Sequence, residues 1–366
     1  MSRSEEDRHD QPLELLLDYG CTDWRASSQR AADLYASDAK LWRKEDFVDI
    51  EQQLEQSCTT ERFTVRRIDG SLVHIKNPMF GVEKPIWKPY VEFREYWRLV
   101  HSPPDGPPET YNCTYVVGWT NSTWHDYQGS IENFERLFEA SQRRWDASPT
   151  CEAFKSQFCK LLSGNGSGNG KKVTKVVCFG LGDMNFKGPD WWRSANDSKP
   201  ENERESQTHL VEGAYIHHAI ALTMADIARS CARSESTGIR LLTQDPAYSN
   251  ETEDFLRKIG FEVVGKHGAG GFAELDDECI VFSAFAPAPL KQIIADLARP
   301  AAIICAKRST DTVFHGPKKP YGDPDAPRTR QMWKDYEGSD FPVPPDEAIL
   351  EGSLRQLGIY TRITDQ

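Results

Sequence analysis

Residues 175–186, KVVCFGLGDMNF, decide how this chain is read. Val176, Val177, Cys178 and Phe179 form an unbroken apolar run that leads straight into Gly180-Leu181-Gly182, and the acid Asp183 follows. Consecutive rather than alternating apolar residues describe a strand covered on both faces. The same pattern recurs downstream. VTKVVCF, IRLLTQ, FEVVG, ECIVFSAF and AAIICA read as strands, and the helical stretches between them are residues 206–232, NETEDFLRKI and PLKQIIADLA. Strands and helices that alternate at this length predict a parallel sheet with helices on both faces. The expected class is therefore α/β, with a Rossmann-like, mostly parallel sheet.

Upstream the pattern differs. Residues 27–56 read as helical, and RFTVRRIDGSLVHI reads as a hairpin turning at Asp69-Gly70. YVEFREYWRLV and TYVVGW are further apolar-aromatic stretches, and IENFERLFEA and CEAFKSQFCKLL read as helices. The Trp and Tyr residues of this region serve either a groove or a core. The division expected is an α+β N-terminal region over 1–162, a Gly/Ser/Asn linker over 163–170 (SGNGSGNG) and the α/β domain over 171–306. A Pro-rich extension over 307–366 completes it. The extension reads as a surface wrap that ends in an amphipathic helix, with Pro345 at its start, Ile349, Leu350, Leu354 and Leu357 on one face, and Gly358 at its end.

Composition limits the function classes. Of 366 residues, 38% are hydrophobic and 27% charged, which fits a globular chain able to bury a sizeable core. The net charge of −12 lacks the basic face that nucleic acid or an anionic membrane would need. KRSTDTVFHGPKK is the one basic stretch that stands out, and it reads as a solvated linker. No apolar run approaches the roughly 20 residues of a membrane helix. The opening MSRSEEDRHDQP resembles neither a secretory signal nor a transit peptide, so a cytoplasmic or nuclear location is expected. The nine cysteines make no CxxC pair, and Cys178, Cys279 and Cys305 fall inside strands as small buried hydrophobes. No metal site is expected.

In an open parallel sheet, ligands bind beyond the carboxyl ends of the strands. The candidates are thus Gly180, Leu181, Gly182 and Asp183 after the first strand, Asp245, Pro246 and Tyr248 after the second, and Pro287 after the strand ending at Phe282. The turn is only part of a dinucleotide fingerprint. Asp-Met-Asn follows where a third Gly and a helix start are wanted, and an acid beside a phosphate is unfavourable. Pro246 holds Asp245 in an extended conformation. Its carboxylate could meet a ribose, act as a base, or cap the helix beginning near Asn250. His218 lies on an apolar face with Val211, Ala214, Tyr215, Leu222 and Ala225, which suits a hydrogen-bonded core residue, and His217 sits about 100° around the helix. No nucleophile elbow, P-loop or metalloprotease motif occurs, so the sequence assigns neither a catalytic residue nor a cofactor.

VVCFGLGD, YIHHAIALTMAD, LLTQDPAYSNETEDFLRKIGFEVV and IVFSAFAPAPLKQIIADLARPAAII, in that order, resemble the sensitivity-to-red-light-reduced (SRR-like) domain family over about residues 173–306. PRTRQMWKDYEGSDFP is similar to the fungal branch. The resemblance implies a Rossmann-like domain and a regulatory role of the light, circadian or developmental signalling kind, with no established reaction. Gly180, Gly182, Asp245 and Pro246 match the pattern. His217 stands where many members have Gln, and Pro287-Ala288-Pro289 where many have Pro-His-Cys, a departure that removes a polar pair. The reading is a regulatory module binding a small ligand or protein partner at the strand-end crevice. The alternative is a transferase or oxidoreductase using Asp183, His217 and Asp245 there.

Overall fold

Side chains alternate across a strand, and the central strand shows what that alternation achieves. Val176 and Cys178 join one buried cluster with Phe154, Phe158, Tyr215 and Ile280. Val177 and Phe179 join another, with Trp42, Phe47, Phe272, Val281 and Ile293. In the computed structural model, which describes residues 22–101, 106–123, 129–163, 170–206, 208–231, 238–284, 286–307, 323–345 and 354–363, the sheet is therefore covered on both faces.

The N-terminal part contributes two small antiparallel pairs: β1 (Arg62–Arg66) with β2 (Leu72–Lys76), and β3 (Trp87–Phe93) with β4 (Tyr115–Asn121). The hairpin turns at Asp69-Gly70 as expected. Gly70 has φ 85°, and the Asp69 carboxylate accepts from Ser71 N at 2.9 Å. The main sheet has seven strands: β5 (Lys175–Phe179), β6 (Arg240–Gln244), β7 (Glu262–Val263), β8 (Cys279–Ser283), β9 (Ala302–Ala306), β10 (Tyr336–Asp340) and β11 (Leu357–Arg362). Their spatial order is β10-β11-β9-β8-β5-β6-β7. The five from β5 to β9 run parallel, as the apolar runs predicted, and Val177 pairs with Leu242 on one side and Val281 on the other. Strand order reverses between β5 and β8, where doubly wound sheets place their ligand crevice. The fold is α/β.

Helices Phe134–Asp146, Pro149–Ser163 and Glu212–Cys231 cover one face. Helices Lys44–Glu55, Leu290–Leu297 and Pro327–Met332 cover the other, together with the N-terminal strands. The aromatics upstream are thus mainly core: Trp42 and Trp145 have no exposed surface. Asp296 fastens this second layer. Its carboxylate accepts from Leu41 N at 2.7 Å and pairs with Arg328 at 2.7 Å, so one buried acid holds segments from both ends of the chain.

Three expectations need correction. The long helix spans Glu212–Cys231 rather than 206–232, and a separate helix, Asp190–Asp197, lies in the loop before it. The C-terminal extension does not only wrap the surface, because β11 pairs antiparallel with β9 and β10 pairs antiparallel with β11, extending the sheet. Leu357 and Gly358, expected to finish a helix, begin β11 instead, where Ile359 pairs with Ile304. The remainder of that proposed helix (346–353), most of SGNGSGNG and nearly all of the basic stretch after Lys307 lie outside the described residues. Among the described residues no helix is long and apolar enough to cross a membrane.

Candidate functional site

Beyond β5 the chain needs two left-handed backbone positions in quick succession, and only glycine adopts them without strain. Gly180 has φ 63° and Gly182 φ 91°. Space is the second requirement. A Cβ on Gly180 would stand 2.6 Å from the Cα of Ala286, in the loop after β8, and one on Gly182 would stand 3.2 Å from the Cβ of Ala214. The Gly-Leu-Gly turn therefore lets the loop after β8 and the long helix close onto it at the point where strand order reverses. Leu181 and Met184 point into the core, 1% and 0% exposed. No helix begins at this turn, so it lacks the amide array that cradles a pyrophosphate.

Asp183 is buried, and its carboxylate faces donors on several sides. It accepts from Asn185 N at 2.7 Å, from Thr252 Oγ1 at 2.6 Å, from Ser249 Oγ at 3.4 Å and from Ser249 N. Ser249 is the N-cap of helix Asn250–Lys258, its hydroxyl accepting from Thr252 N. Asp183 thus braces the helix start for which Asp245 was one candidate cap. Asp245 acts elsewhere: its two oxygens accept from Gly182 N at 2.9 Å and Ala247 N at 3.0 Å, tying the loop after β6 to the glycine turn. Burial pushes its carboxyl above the usual range and the nearby Asp183 adds to this, while the two amide bonds oppose the rise.

The long helix is covered on its outer side as well, so His217 is buried like its neighbour, against the single apolar face expected. His217 packs edge-on to Phe282 at 6.2 Å, and Leu181 C=O accepts a hydrogen bond from it. Burial pushes it down to about 4. His218 Nδ1 lies 2.7 Å from Ala214 C=O, and its Nε2 lies 2.9 Å from the Tyr248 hydroxyl, which is 2.7 Å from Thr243 Oγ1. A carbonyl only accepts, so Nδ1 carries the proton and Nε2 accepts from Tyr248, which in turn accepts from Thr243. Burial pushes His218 down to about 3, and raises Tyr248 well above its ordinary value. This inward chain accounts for Tyr248. Pro246 and Pro287 are exposed at the rim.

The sequence reading missed how the rest of this edge is covered. Gln244, the last residue of β6, donates to Gly268 C=O at 3.0 Å and accepts from Gly271 N at 2.7 Å. Glu51, on a helix of the N-terminal part, accepts from His267 N at 2.7 Å and from Ala269 N and Gly270 N at 2.9 Å. No local sequence signal joins residues over 200 positions apart. A groove of about 590 Å³ opens beside this contact, lined by Val48, Glu51, Glu55, Arg257, Val263 and Gly265 among others.

The site thus brings Gly180, Leu181, Gly182, Asp183, His217, Asp245 and Tyr248 together as one packed assembly, and leaves Pro246 and Pro287 facing solvent. Residues 150–319 match the family model described as the SRR1 domain. No curated protein and no solved structure matches the chain.

Proposed function

We propose, for a chain that carries an SRR1 domain over residues 150–319, a regulatory binding module of the light, circadian or developmental signalling kind rather than an enzyme. It acts inside the cell, in cytoplasm or nucleus, and receives a protein partner or small ligand along the strand-end edge of its sheet. One observation carries this reading. Asp183, His217 and Asp245, the groups available for chemistry, each bond to the chain's own backbone. A general base must reach the proton it removes; Asp183 and His217 are directed into the fold, and half-buried Asp245 is engaged by two backbone amides. The surface left open is the rim at Pro246, Ala247 and Pro287 and the groove beside Arg257. That groove's volume lies within the roughly 300–1,000 Å³ of small-molecule sites.

Native mass spectrometry of the full chain with NAD(P), S-adenosylmethionine and nucleotides tests it. The module reading expects no adduct that depends on Gly182 or Asp245, and expects any adduct to weaken on Arg257→Glu. An adduct lost on Gly182→Val or Asp245→Asn in protein that remains folded would place a ligand at the reversal point. The transferase or oxidoreductase reading would then replace this one.

A further inference from the structure

Two cysteines stand apart from the others. Cys159, one turn before the end of helix Pro149–Ser163, is bonded to Cys231, the last residue of helix Glu212–Cys231, across 72 residues of sequence with a Cα–Cα distance of 5.6 Å. Both are half-buried. The other described cysteines are free thiols, five buried and Cys58 exposed. Burial pushes Cys113 up to about 11, and Cys279 and Cys305 up to about 12, so these thiols stay protonated and inert. A chain stabilised by disulfides as a class would pair more of them. Among the described residues one pair is bonded, at the surface ends of two helices, and its neighbour Ser163 donates from Oγ to Cys231 C=O at 3.4 Å.

The two helices do not depend on this bond to stay together. Phe154, Phe158 and Leu162 of the first share a buried cluster with Ala221, Met224 and Ala228 of the second. Opening the bond would therefore free the last turns of both helices and leave the core packed. A half-buried bond near the surface whose cleavage leaves the fold standing has the properties of an exchange site rather than of a permanent staple.

We propose that Cys159 and Cys231 form a reversible thiol–disulfide exchange site whose co-reactant is a low-molecular-weight disulfide of the glutathione class. In the closing direction one cysteine thiolate attacks a sulfur of the glutathione disulfide, forming a mixed disulfide and releasing one glutathione thiolate. The second cysteine thiolate then attacks the protein sulfur and displaces the other glutathione. Two electrons pass from the cysteine pair to the glutathione disulfide, and the two thiol protons go to solvent or to the released thiolates. Reduction runs the same steps backward. The closed bond brackets β5, the Gly-Leu-Gly turn and the long helix in sequence, and ties together the two helix ends that precede β5 and β6.

The test equilibrates the full-length protein in reduced and oxidised glutathione at graded ratios, blocks free thiols with a maleimide and maps labels by peptide mass spectrometry. The expected result is that Cys159 and Cys231 pass together from labelled to protected as the buffer becomes oxidising, while Cys178, Cys279 and Cys305 stay unlabelled throughout. Closing a loop of this length should also raise Tm by on the order of 10 °C. That shift should vanish in Cys159→Ser, and in Cys231→Ser should either single variant fold poorly. Protection that persists in fully reduced glutathione would overturn the proposal in favour of a permanent bond. Labelling that persists in fully oxidised glutathione would overturn it because the bond does not form.

Discussion

Thr252 donates its hydroxyl proton to the Asp183 carboxylate at 2.6 Å, joining the turn after β5 to the first turn of the helix after β6. With Asn185 N, Ser249 N and Ser249 Oγ also donating to Asp183, removal of the carboxylate leaves four donors without it. Asp183→Ala is expected to cost about 2–4 kcal/mol, read by urea denaturation. Thr252→Val removes one donor and should cost about 1 kcal/mol. A site residue would behave differently: its loss would spare stability and remove ligand affinity.

The Thr243–Tyr248–His218 chain gives a second expectation. Tyr248→Phe removes the hydroxyl that donates to His218 and accepts from Thr243. The cost should be about 1–3 kcal/mol, because a buried ring nitrogen and a buried hydroxyl both lose a partner. Thr243→Val should cost less in the Tyr248→Phe background than in the wild type, since the bond it breaks is already gone. Additive costs in the double variant would show that the two side chains are not coupled.

Both histidines of the long helix make stability fall in acid. In the unfolded chain each ring titrates near 6.5, whereas in the fold burial holds His217 at about 4 and His218 at about 3. Between those values the unfolded state binds more protons, so stability rises with pH there. This contribution is complete above about pH 6.5 and declines as pH drops towards 4 and 3. His217 alone could account for about 3 kcal/mol at most over that window. His217→Asn with His218→Gln should therefore be less stable than wild type at pH 8, yet show a flatter stability profile between pH 6.5 and 4. An unchanged slope in this variant would mean that other groups set the acid limit.

The elements that the residues announce are those whose local pattern coincides with their tertiary role. β5, β6, β8 and β9 are apolar runs because both sheet faces are covered, and the hairpin at Asp69-Gly70 carries its turn chemistry in two adjacent residues. β10 was not legible: YEGSD is a polar edge strand that buries little beyond Tyr336. The spacing of Leu354 and Leu357 suits a helix, but β9 offered an open edge, and pairing with it placed Leu357 in a strand. At the site, strand ends and glycines fixed which residues would meet. They did not fix which carboxylate would brace which loop, because Asp183 and Asp245 lie more than 60 residues apart and each has donors within reach only after folding. The Cys159–Cys231 pair left no signal in spacing at all.

Two glycines with the same sign of φ separate backbone strain from close approach. Gly70 has φ 85°, and a Cβ added there would meet nothing within 4 Å, so Gly70→Ala should carry only the left-handed penalty of roughly 1–2 kcal/mol. Gly180 has φ 63°, and its added methyl would lie 2.6 Å and 2.8 Å from the backbone Cα and N of Ala286. Backbone cannot swing aside as a flexible side chain can, so the loop after β8 must move outward and open the reversal point between β5 and β8. Gly180→Ala should therefore cost clearly more than Gly70→Ala, about 3 kcal/mol or above. It should also raise amide exchange in the loop around Ala286 while leaving β5 and β6 protected. Equal costs for the two variants would mean that the turn and the loop after β8 do not pack against each other.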